Sequence, residues 1–128
     1  MKPASSATMS ESAPWPTEIR LRQEGKELAV AFDSAETFDF SAEYLRVLSP
    51  SAENKGHFEG ERPVAHGKRH VRIVRLEPVG NYAIRIVFDD GHETGLFSWA
   101  YLHELGRDRG RLWEDYLARL AASGQDRG

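Results

Sequence analysis

The chain has 128 residues and no cysteine. Disulfides, thiolate metal sites and cysteine nucleophiles are therefore excluded. No apolar run approaches the roughly 20 residues that cross a bilayer. The opening residues, MKPASSATMSESAP, lack the apolar core of an export signal. These two absences imply a cytoplasmic chain with no membrane partner. Excess positive charge is missing too. Lys and Arg number 17 against 20 Asp and Glu, for a formal net charge of −3. A general nucleic-acid binder shows the opposite balance, so no nucleic-acid partner is expected. There is no glycine-rich phosphate loop and no HExxH pair.

What is present suits one soluble domain, with 40% hydrophobic and 29% charged residues. Residues 1–14, rich in Ser, Ala and Pro, read as a disordered tail. Residues 15–122 read as the single domain, and Ser123 to Gly128 as a frayed end. Trp15 is expected to anchor the first strand by packing. Ile19 and Leu21 alternate with charged residues, Gln23 to Lys26 turn, and Leu28, Val30 and Phe32 alternate again. That is a hairpin. Phe38 and Phe40 make a short third strand. Ser41 is placed to cap a helix carrying Tyr44, Leu45 and Leu48, which stops before Pro50.

Residues 49–70 are irregular and hold His57, His66 and His70. A loop of this length is functional or mobile. Val71 to Leu76 read as a fourth strand and Glu77 to Asn81 as a turn. From Tyr82 onward the pattern tightens. Tyr82, Ile84, Ile86 and Phe88 alternate, Asp90-Gly91 offers a two-residue corner, and the chain returns through Gly95 to Phe97. Gly95 suggests a bulge or a close backbone approach. Ser98 is placed to cap a helix with Trp99, Leu102 and Leu105 on one side, ending at Gly106. Leu112, Trp113, Tyr116, Leu117 and Leu120 mark a final helix. The fold class is α+β: a mostly antiparallel sheet built from hairpins, a short helix after the third strand, and two C-terminal helices packed on the sheet.

Chemistry-bearing residues gather at the hairpin corner, where Asp89, Asp90, His92 and Glu93 sit together. Imidazole with carboxylate suits a divalent metal such as iron or zinc. His57 completes a candidate set of His92, His57 and Asp90 if the long loop folds over the hairpin. Turn chemistry accounts for Asp90-Gly91 without any metal. Lys68, Arg69, Arg72, Arg75 and Arg85 form a basic cluster that suits an anionic ligand, an acidic partner or a solvated sheet face. Ser49 and Ser51 lack the elbow and the base that a nucleophilic serine needs.

Two segments resemble a known family. The first is Tyr44-Leu45-Arg46-Val47-Leu48-Ser49-Pro50-Ser51-Ala52-Glu53 with Gly56-His57. The second is Glu77-Pro78-Val79-Gly80-Asn81-Tyr82 with Phe88-Asp89-Asp90-Gly91-His92 and Ser98-Trp99, Tyr101 and Leu102. Together they resemble the γ-butyrobetaine hydroxylase-like N-terminal domain, over about residues 15–106. Similar domains occur alone, at the front of γ-butyrobetaine and trimethyllysine dioxygenases, and at the end of some iron–sulfur carriers of the Mrp type. In the dioxygenases the domain holds a structural zinc through three cysteines and a histidine. The resemblance pairs those cysteines with Ser49, Ser51 and Asn54 here, and the histidine with His92. Neutral hydroxyls and an amide are poor replacements for thiolates. The resemblance therefore implies the fold without the zinc, and it lacks the separate catalytic iron domain. The expected function is a stand-alone, non-catalytic accessory module serving an iron–sulfur carrier or oxygenase-type partner. The alternative is a metal-binding protein using His92, His57 and Asp90.

Overall fold

The structure is a computed structural model that describes residues 15–50, 65–90 and 95–128. The expected N-terminal tail, His57 and His92 all lie outside the described residues. The chain runs β1 (Pro16–Arg22), β2 (Glu27–Phe32), β3 (Thr37–Ser41), α1 (Ala42–Val47), β4 (Ile73–Val79), β5 (Ala83–Phe88), β6 (Gly95–Ser98), α2 (Trp99–Arg107) and α3 (Arg109–Ala122). The strands form two antiparallel three-stranded sheets, β1-β2-β3 and β4-β5-β6. The α+β class, the helix after the third strand and the two late helices match the sequence reading. The single sheet is in fact two.

Alternation decides β2: Leu28, Val30 and Phe32 are buried, and the residues between them are half-buried. These three meet Phe40, Leu45, Ile86, Phe88, Phe97, Leu102 and Leu105 in one core shared by both sheets. The sheets touch at a left-handed turn, where Gln23, Glu24 and Gly25 take φ of 53°, 57° and 93°. A Cβ on Gly25 would collide with the Ile73 carbonyl oxygen, so glycine is required twice over there.

Both serine caps form. Ser41 Oγ accepts from Tyr44 N at 3.0 Å, and Ser98 Oγ from Tyr101 N at 3.1 Å. Several expectations are corrected. Strand β4 continues through Pro78 to Val79, so the turn is only the short step from Gly80 to Tyr82. Pro78 is tolerated because β4 is an edge strand. Tyr82 precedes β5 and is exposed, whereas Ala83 and Val87 on the other face are buried. Gly106 does not end α2. It lies inside the helix because a Cβ there would strike the Phe38 ring, and the break falls at Asp108. The β5–β6 register shows no bulge at Gly95, which pairs with Ile86.

The edge strand β1 is less buried than its alternation suggests. Leu21 is 41% exposed and Trp15 50% exposed, because among the described residues no element covers them. The expected frayed end is instead tied down. Gly124 takes φ 75°, Gly124 N donates to Ala121 O, and Gln125 N donates to Leu120 O. This left-handed reversal turns the chain back onto residues 67–69. There Gly67 N donates to Asp126 O at 3.0 Å and Arg69 N to Arg127 O at 2.9 Å.

Candidate functional site

The end of α1, the segment before β4 and the end of β5 converge on one corner. Asp90 Oδ2 accepts from Arg46 Nε at 2.8 Å and from Lys68 Nζ at 2.7 Å. The three side chains are only 17–23% exposed, so the charges face one another with little water between them. One residue back, Asp89 Oδ1 accepts from Arg72 N at 3.1 Å, and Asp89 N donates to Arg72 O at 2.9 Å. Tyr101 on α2 donates its hydroxyl to Leu48 O at 2.6 Å, which fixes the end of α1 from the other side. Ser49, just beyond, is 5% exposed.

Of the candidate metal set, the structure places Asp90 alone; His57 and His92 lie outside the described residues. A cation at Asp90 Oδ2 would have to share that oxygen with two resident cations. Among the described residues no group of three His, Asp or Glu side chains is placed to hold a metal ion. Ser49 stands at a position that the resemblance pairs with a cysteine. Its hydroxyl is neutral and a weak zinc donor, so the donors described here do not fit that metal.

The basic cluster also resolves. Lys68 pairs with Asp90, Arg72 with Glu24 at 3.2 Å, and Arg75 and Arg85 with Glu77 at 2.5 and 3.4 Å. Arg75's hydrogen bond is the main cause holding the Glu77 carboxyl below its usual range. Four of the five cations are therefore paired with carboxylates.

The sequence reading missed a second lock. Glu43 on α1 is 5% exposed, and Arg127 grips it with Nε and Nη2, both at 2.9 Å. The guanidinium carbon stands 5.4 Å from the centre of the Trp113 ring. A lone Arg beyond a Gly-terminated helix was the available signal. Trp99 and Trp113 are partly buried against the core, and Trp99 Nε1 donates to Asn81 O at 3.1 Å. Trp15 is held differently. Its main chain is fixed by Asp33, which donates its N–H to Trp15 O at 2.8 Å and accepts from Trp15 N on Oδ1 at 3.2 Å. Its indole remains half in solvent.

With this geometry in hand, likeness to known proteins becomes interpretable. Residues 19–103 match the family model described as gamma-butyrobetaine hydroxylase-like, N-terminal. The chain belongs to that family. Two solution structures are each 43% identical to it. One covers 91% of this chain and 91% of its own, with a TM-score of 0.78. The other covers 99% of this chain and 90% of its own, with a TM-score of 0.77. A crystal structure of a DUF971-family protein of unknown function from Acidithiobacillus ferrooxidans is 36% identical. It covers 74% of this chain and 98% of its own, with a TM-score of 0.62. No curated protein matches. Among the described residues no helix is long and apolar enough to cross a membrane.

Proposed function

We propose that this domain is a non-catalytic docking module for a protein partner, and that Trp15 with the exposed side chains of β1 is the contact. The observation that carries it is Trp15: an indole 50% exposed on a backbone fixed at both its N–H and its C=O. A held-out tryptophan offers a large apolar area at small entropic cost, which is why the residue is enriched at interface centres. Beyond the register irregularity between Pro16 and Glu18, Leu21 is 41% exposed and Ile19 half-buried, and Glu18, Arg20 and Arg22 are exposed between them. An apolar centre with a charged rim is the usual anatomy of a protein interface. The settings in which similar domains occur favour an iron–sulfur carrier or an oxygenase-type partner.

The test is capture with purified domain as bait, wild type beside Trp15→Ser and Leu21→Ser. A carrier or oxygenase held by the wild type and released by both variants supports the reading. Equal capture by all three, or none by any, rejects it. Metal binding through His57, His92 and Asp90 is less favoured, because a cation at Asp90 Oδ2 would have to share it with Arg46 and Lys68.

A further inference from the structure

A cavity of about 250 Å³ lies between the starts of α1 and α3, lined by Ser41, Tyr44, Arg109, Gly110 and Trp113. Two aromatic residues form its walls: the buried Tyr44 ring meets Trp113 edge-on, with centroids 6.1 Å apart. Its polar groups are donors. Arg109 gives one N–H to the Asp39 carbonyl. A guanidinium has five, and Arg109 forms no ion pair among the described residues. Ser41 Oγ accepts from Tyr44 N, which leaves its own O–H to donate. No carboxylate lines the space among the described residues.

Gly110 is the informative residue. Glycine within a helix costs up to about 1 kcal/mol relative to alanine. At the other glycines described there is a positive φ or a close approach, as at Gly25 and Gly106. Gly110 meets neither: its φ is ordinary and an added Cβ would find nothing within 4 Å. The effect of the missing side chain is to leave the cavity open.

We infer that this cavity binds a carboxylate carried on a short apolar body. The carboxylate accepts from Arg109 and Ser41, and the body rests against Tyr44 and Trp113. A guanidinium with a hydroxyl suits a planar anion, and the charge-assisted bond sets its preference over a neutral analogue. The space is smaller than the roughly 300–1,000 Å³ of drug-sized sites, which restricts the ligand to a small acid or the last residue of a peptide. Neither Trp15 nor Leu21 lines the cavity, so ligand binding and partner docking hold or fail independently.

Nuclear magnetic resonance titration with phenylacetate tests the site. The Trp113 indole N–H should shift saturably with Kd about 1 mM, and phenylacetamide should bind about 10-fold more weakly. Gly110→Leu fills the cavity and should abolish the shift while its thermal midpoint stays level or rises. If that variant does not fold, Arg109→Gln replaces it and should reduce phenylacetate to the level of the amide. A peptide ending in a free Phe carboxylate identifies the source: tighter binding than phenylacetate points to a chain terminus, weaker to a free acid. No saturable shift by about 50 mM, equal binding of acid and amide, or undiminished binding in the variants would overturn the inference.

Discussion

At the scale of single residues, stability rests on a few contacts that composition does not reveal. Gly25→Ala is expected to cost at least about 2 kcal/mol, since it forces both a left-handed alanine and a clash with the Ile73 carbonyl. Urea melts measure it, and a midpoint equal to wild type would show that the two sheets do not meet as described. Arg127→Ala leaves Glu43 buried without its partner and is expected to cost about 1–3 kcal/mol; the figure is set below that of a fully buried pair because Arg127 is 37% exposed. Tyr44 sets a pH limit. Burial pushes its phenol up to about 12, from a usual value of 10.0, while its hydroxyl donates to Leu105 O at 2.7 Å. The fold therefore favours the protonated phenol. That contribution is complete below pH 10 and is lost as pH rises through 12, on the order of 2 kcal/mol. Comparing wild type with Tyr44→Phe by chemical denaturation across pH 9–12 should show a steeper alkaline loss in the wild type, and parallel curves would contradict it.

At the scale of elements, local sequence rules read well wherever one interaction decides. Two serines at strand-to-helix junctions cap their helices, and Ser41→Ala and Ser98→Ala are each expected to lower stability by about 1 kcal/mol in thermal melts. The alternation of Leu28, Val30 and Phe32 placed β2 correctly for the same reason. Legibility failed where a distant partner decides. Gly106 reads as a helix stop, yet its purpose is to admit the Phe38 ring from β3. Pro78 reads as a turn residue, yet an unpaired edge accepts it. The C-terminal residues look too polar to be ordered, yet Arg127 has a buried carboxylate waiting 84 residues earlier in the chain. At the candidate site, Asp90 could be picked out as important, but its partners Arg46 and Lys68 could not, since their convergence depends on α1, β4 and β5 packing together. Two of the four edge strands, β1 and β4, also carry a proline and a register irregularity, devices that discourage strand-to-strand aggregation. Docking on β1 is accordingly expected to use side chains, with no added strand.

At the scale of the molecule, the family scaffold persists, and the Asp90 corner is held by ionic and hydrogen-bonded contacts. Protein purified without a tag is expected to hold substoichiometric iron and zinc, unchanged in His92→Ala; a full equivalent lost on that substitution would establish the metal reading instead. Trp15 and Leu21 are among the exposed large apolar residues described, with Val74 and Tyr82, and the account turns on whether a partner uses the first two. The most direct measurement is amide and indole shift mapping of the labelled domain with the captured partner added. Docking as proposed predicts that the largest changes fall on the Trp15 indole N–H and on residues 18–22 of β1. Changes confined to α3 or to the Asp90 corner, with Trp15 unmoved, would contradict it.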